Sequence, residues 1–116
     1  MKNFFSLIKD ENILLKIKKK SEASFWEYQI LGLFYYLFNL SFDYFIITDK
    51  KIVYVIKDKL IKIAEYSDFS TLEFNSKNDI FSYKNIDNQE QKLNLNRLRL
   101  SYEEIQKIKK VLNHNI

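Results

Sequence analysis

One hairpin constrains the fold of this chain more than any other feature. Two apolar runs rich in β-branched and aromatic residues lie at 44–47 and 52–56, and the polar residues Thr48-Asp49-Lys50-Lys51 separate them. This pattern is typical of two antiparallel strands joined by a tight two-residue loop. Alternate residues on both faces of these strands are apolar, so we expect the hairpin to be covered on both sides.

Shorter alternating patterns before and after the hairpin predict further strands. Turns between them must use Asn, Asp, Ser and Lys, because the chain has no Pro and one Gly. The predicted strands lie at 12–19, 43–48, 51–57, 60–66, 71–75, 79–85 and 92–98.

Three helices are predicted around these strands. The first is a short amphipathic helix at 3–10, and the second is an aromatic helix at 24–40. The third, at 101–113, has the clearest signal, because Ser101 and Glu104 have the spacing of a capping box. Its expected apolar stripe consists of Tyr102, Ile105, Ile108 and Leu112.

Length and composition indicate one α+β domain over residues 1–116. Its parts are an N-terminal region at 1–42, antiparallel strands at 43–98 and the final helix at 101–113. An apolar fraction of 47% excludes a disordered protein. Because Cys is absent and the N-terminal apolar stretch is too short for a secretory signal, we expect a cytoplasmic protein.

Residues suited to catalysis are scarce. The single histidine, His114, lies beyond the last apolar residue of the final helix, and there is no cysteine. One glycine does not make a phosphate-cradling loop, and one histidine does not make a metal cluster. We therefore predict a non-enzymatic protein with no cofactor and no metal.

The order of strands and final helix resembles that of bacterial pleckstrin-homology-like (PH-like) domains. Three segments carry the resemblance, which covers about residues 43–112: FIITDKKIVYV at 45–55, KIAEYSDFSTLEF at 62–74 and RLSYEEIQKIKKVL at 99–112. It implies a small antiparallel barrel or sandwich of about six or seven strands, capped by the C-terminal helix. The aromatic helix at 24–40 is an addition to that pattern.

A lysine cluster, Lys16, Lys18, Lys19 and Lys20, ends the first predicted strand. In eukaryotic PH domains this place holds phosphoinositide head groups, so the resemblance implies an anionic ligand. Lysines near an anionic membrane contribute about 1 kcal/mol each. The alternative is a solvated strand end with no binding role. We expect no nucleic-acid partner, since the two arginines are isolated.

The predicted helix at 24–40 is apolar on nearly all sides, and three environments would suit it. It belongs to the core, docks on a partner or a second copy of the chain, or lies in a membrane interface. At fewer than 20 apolar residues it is too short to span a bilayer.

These features predict a PH-like binding module for a protein partner with an acidic surface. An inhibitor or immunity-type protein from a mobile element would fit this description. The alternative is a peripheral domain that binds anionic lipid at the inner face of the membrane. The predicted binding residues are Lys16, Lys18, Lys19, Lys20, Trp26, Tyr28, Phe34 and Tyr35.

Overall fold

A computed structural model describes residues 8–20 and 42–113. They form seven strands and one α-helix: β1 Ile13–Lys20, β2 Phe42–Thr48, β3 Lys51–Ile56, β4 Lys59–Glu65, β5 Glu73–Asn75, β6 Ile80–Lys84, β7 Glu90–Asn94 and α1 Tyr102–Asn113. Short 3-10 helices lie at Phe69–Thr71 and Asn96–Leu98. The predicted helix at 24–40 and most of the one at 3–10 lie outside the described residues.

The strands form two antiparallel sheets, β1-β2-β3-β4 and β5-β6-β7. This confirms an α+β fold with a C-terminal helix, but the sheets do not close into a barrel. Within the described ranges, one isolated bridge between Tyr66 and Asn85 joins the two sheets. A closed barrel needs continuous pairing between its strands, and one bridge does not supply it. The expectation of a barrel is therefore wrong, and the strands form two separate sheets.

The β2–β3 hairpin lies at the centre of the larger sheet, and its loop is Asp49-Lys50, as predicted. Its inner face contributes Phe45, Ile47, Ile52, Tyr54 and Ile56 to a core shared with β6 and α1. The outer face is equally buried, since Ile46, Val53 and Val55 have no exposed surface. The expectation of cover on both sides is therefore confirmed. Among described residues outside the sheet, Ile8 packs on this outer face.

The Thr48 side chain stabilises the β2–β3 loop, which contains no glycine. Its hydroxyl accepts hydrogen bonds from the backbone N–H groups of Lys50 and Lys51, at 3.1 and 2.7 Å. The same hydroxyl donates to Glu11 Oε1 at 2.5 Å. The Tyr66 hydroxyl donates to the Thr48 carbonyl at 2.6 Å, and burial raises the pKa of Tyr66 to about 12. A side chain therefore supplies the partners that hold this loop.

The predicted strand at 92–98 is wrong in its second half. There β7 ends at Asn94 and a 3-10 turn follows, in which Leu95 and Leu98 are both fully buried. Residues three apart share a side of a helical turn but point to opposite faces of a strand. Burying both leucines in one core therefore requires the turn.

The stripe predicted for the final helix also needs one correction. Ile108 is fully buried and Leu112 packs against the core, but Tyr102 is 72% exposed. Tyr102 is the first residue of α1, and Leu100, just before the helix, packs against the core.

A substitution at Phe45 is the most direct test of the inner core. It has no exposed surface, and its ring lies edge-on to Phe81 with 5.1 Å between ring centroids. We expect Phe45→Ala to lower the free energy of unfolding by about 3–5 kcal/mol, measured by urea denaturation. Ile86→Ala, at a side chain 64% exposed, is the control and should change it by about 0.5 kcal/mol or less. Equal effects of the two variants would contradict this core.

Candidate binding surface

Strand alternation divides the lysine cluster between two faces of the larger sheet. Lys16 pairs with Ile46 and Lys18 with Tyr44, so both lysines lie on the outer face. Lys19 pairs with Asp43 and lies on the inner side. The Lys20 side chain lies outside the part of the chain that the structure describes. One face of β1 therefore carries two exposed lysines in succession, Lys16 and Lys18.

Two aromatic rings lie beneath these lysines. Lys18 Nζ is 4.5 Å from the centroid of the Phe42 ring and 6.0 Å from that of Tyr44. Lys16 Nζ is also 6.0 Å from the Tyr44 centroid. Ammonium groups at this range are attracted to the negative ring face. We call Lys16, Lys18, Phe42 and Tyr44 the basic–aromatic strip.

The rings of the strip are covered while its charges are exposed. Tyr44 is 6% exposed and Phe42 is partly buried. Burial raises the pKa of the Tyr44 hydroxyl, and the negative charge of Asp58 raises it too. Both lysines are exposed, and the ammonium group of each lies within reach of a ring. The two rings thus restrict where the ammonium groups of the strip can lie.

Lys19 has a different environment. Its Nζ donates to the Arg99 carbonyl at 2.6 Å and to Glu104 Oε1 at 3.0 Å. The same carboxylate oxygen accepts the Ser101 N–H at 2.8 Å, which completes the predicted capping box of α1. Lys19 therefore links the C-terminal end of β1 to the start of α1. It is not part of the basic–aromatic strip.

A second lysine contact joins α1 to β1. Lys107 Nζ donates to the Lys16 carbonyl at 3.0 Å. That carbonyl is on the edge of β1 that does not pair with β2. The helix therefore contacts β1 along this edge, while the side chains of Lys16 and Lys18 stay exposed.

The aromatic binding residues predicted from sequence, Trp26, Tyr28, Phe34 and Tyr35, lie outside the described residues, as does His114. Phe42 and Tyr44 were missed as part of the surface. The signal for them is the pairing of β1 with β2 across a long connection. Once that register is known, alternation alone places Lys16 and Lys18 opposite outer-face residues of β2.

No protein-family model, curated protein or solved structure matches the chain significantly. Across residues 8–20 and 42–113, no helix is long and apolar enough to cross a membrane. Within the same ranges, no three acidic or histidine side chains are grouped closely enough to hold a metal ion.

The Lys19–Glu104 contact makes stability depend on pH. Burial raises the pKa of Glu104, but hydrogen bonds from Ser101 and Lys19 and the charge of Lys19 outweigh it. The folded pKa is therefore below the ordinary 4.5. The stabilisation is present above 4.5 and is lost as pH falls through the folded pKa. We expect the free energy of unfolding of Glu104→Gln to fall less steeply below pH 4.5 than that of the wild type, measured by urea denaturation.

Glu103→Gln is the matched control for this experiment. Glu103 is exposed in the first turn of the same helix, whereas the carboxylate that Lys19 contacts is that of Glu104. It should leave the acid loss of stability as in the wild type. A Glu104→Gln variant with the wild-type slope would contradict the role of this contact.

Proposed function

We propose that this protein is a cytoplasmic, non-enzymatic binding module that holds a protein partner with an acidic surface through the basic–aromatic strip. The observation that carries this proposal is the placement of Lys16 and Lys18 on one face, above Phe42 and Tyr44. Opposite charge across an interface speeds encounter and sets its orientation. Carboxylates of the partner are the natural counterparts of two ammonium groups at defined places.

The geometry of the strip favours a protein over a general anionic surface. Lysines whose positions are restricted lose less conformational entropy when they bind a fixed carboxylate. A peripheral membrane contact gains most from aromatic side chains that enter the headgroup region. Tyr44 is buried and Phe42 lies under Lys18, so neither ring is presented for insertion.

Membrane attachment is the second candidate function, because exposed lysines on one face also suit anionic lipid. Such binding would be weak and salt-sensitive, since each lysine contributes about 1 kcal/mol at a membrane surface. Vesicles of phosphatidylcholine with and without phosphatidylserine separate this candidate from the first. Adsorption to the anionic vesicles that fades with salt would support it.

We further propose that the architecture is PH-like and that the role is that of a small inhibitor or immunity-type protein. What supports the first point is the element order, a run of antiparallel strands followed by one amphipathic helix. What supports the second is the prediction, from the scarcity of catalytic residue types in the sequence, of a non-enzymatic binding protein.

The strip is tested by a pair of double charge reversals. Lys16→Glu/Lys18→Glu removes the proposed contact, whereas Lys84→Glu/Lys92→Glu changes the net charge equally on β6 and β7 of the smaller sheet. We expect proteins captured from host lysate by the wild type to be lost from the first variant and retained by the second. An exposed ion pair contributes at most about 1 kcal/mol, so the loss of two corresponds to a loss of affinity of up to roughly thirtyfold. Loss from both variants, or from neither, would contradict the proposal.

The aromatic residues at 24–40 are proposed as anchors of the same partner. Aromatic anchors dominate binding energy at protein interfaces, so Trp26→Ala is expected to weaken capture of the partner by roughly thirtyfold, which is about 2 kcal/mol. Circular dichroism and the unfolding midpoint should stay close to those of the wild type. A complex that tolerates both Trp26→Ala and Tyr35→Ala would rule out this role.

A further inference from the structure

A cleft of about 300 Å³ lies between β4 and the β6–β7 loop, next to the bridge that joins the two sheets. Binding sites for small molecules begin at about this volume. β4 is the edge strand opposite to β1 in the larger sheet, so the cleft is separate from the basic–aromatic strip. Charged, polar and apolar residues line it, among them Lys62, Ala64, Tyr83, Ile86, Asp87 and Gln91.

Tyr83 is the buried polar residue of the cleft. It is 2% exposed, and its hydroxyl forms no hydrogen bond with any described residue. Among the described side chains, the polar atom that is both sealed from solvent and unpartnered is the Tyr54 hydroxyl, so that of Tyr83 keeps access to the cleft. Burial raises the pKa of Tyr83, and its hydroxyl therefore keeps its proton at neutral pH. A buried donor left open to a cleft is placed to bond a ligand atom.

Two further donors face the same space between the sheets. Gln91 pairs with Tyr83 across β6 and β7, so the two side chains share a face. Lys62 pairs with Tyr54, which belongs to the inner core, so Lys62 lies on the inner face of β4. A hydroxyl, an amide N–H and an ammonium group all donate to oxygen anions. This set of donors suits a carboxylate.

The two acidic residues that line the cleft differ in direction. Glu65 pairs with Lys51 and alternates with Ala64, which packs on the inner core, so its side chain lies on the outer face. Asp87 is exposed on the β6–β7 loop, the wall that faces β4. Neither Asp87 nor Lys62 forms an ion pair within the described ranges. The cleft therefore has one negative and one positive charge, on different walls.

Apolar surface completes the cleft. Ile86 is 64% exposed on the loop wall, and Ala64 is partly buried on the β4 wall. An aliphatic group between them would remove the exposed surface of Ile86 from water, which is favourable.

We propose that this cleft binds a free α-amino acid with an aliphatic side chain. The ligand carboxylate accepts hydrogen bonds from Lys62, Tyr83 and Gln91. Its ammonium group faces Asp87, and its side chain covers Ile86. This site is independent of the proposed partner surface, so Lys16→Glu/Lys18→Glu should bind the amino acid as the wild type does.

Leucine is the probe, titrated into the isotope-labelled full chain and followed by amide chemical shifts at Tyr83, Ile86 and Asp87. We expect saturable shifts with leucine. N-acetylleucine lacks the ammonium group and leucinamide lacks the carboxylate, so each should bind at least about tenfold more weakly. Absence of saturable shifts with leucine would overturn the proposal. Equal binding of either derivative would overturn the assignment of a zwitterion.

Tyr83→Phe tests the hydroxyl, and Tyr54→Phe is its matched control. Each removes one hydroxyl from a buried tyrosine that has no hydrogen-bond partner among the described residues, so neither should lower the unfolding midpoint. Tyr83→Phe should weaken leucine binding about fivefold, and Tyr54→Phe by less than about twofold. Equal affinities of the two variants would contradict the role of Tyr83.

Lys62→Gln removes the positive charge of the cleft, and Lys59→Gln is the control with the same change of net charge. Lys59 is exposed on the same strand but does not line the cleft. Lys62→Gln should weaken leucine binding roughly tenfold, and Lys59→Gln by less than about twofold. Wild-type affinity in Lys62→Gln, or an equal loss in Lys59→Gln, would overturn the carboxylate site.

Discussion

Burial of the β2–β3 hairpin on both faces is the constraint on which the rest of the structure depends. Residues such as Phe45 and Ile46 point to opposite sides, and both are fully buried. Strands with this pattern must occupy the centre of a sheet, which leaves the edges to strands that tolerate charge. β1 is such an edge strand, and its lysines alternate with the buried Leu15 and Ile17.

Polar side chains stabilise the tight turns of this protein, a role that glycine and proline have in most small β proteins. Thr48 holds the β2–β3 loop, and the carboxylates of Asp43 and Asp58 hold the β3–β4 turn. Each of these groups accepts backbone N–H donors that would otherwise lack partners. The same contacts fix the turn beside Phe42, so the solution to a folding problem also shapes the proposed binding surface.

Local patterns predicted local structure well. The hairpin loop and the Ser101–Glu104 capping box follow from short-range chemistry, and both are observed. The division of the lysines was not foreseen, because it depends on the register between β1 and β2, which are far apart in sequence. The burial of Asp43 was not foreseen either, since its carboxylate holds a turn that belongs to another hairpin. The turn at Asn96–Leu98 was missed because alternating Leu and Asn residues imitate a strand.

We propose that Lys16 and Lys18 bind carboxylates of a protein partner. The most direct test of this proposal is the salt dependence of affinity for the captured partner, compared between the wild type and Lys16→Glu/Lys18→Glu. We expect the wild-type affinity to fall as salt is raised and the variant to bind weakly at every salt concentration. Equal affinity and equal salt dependence in the two proteins would contradict it.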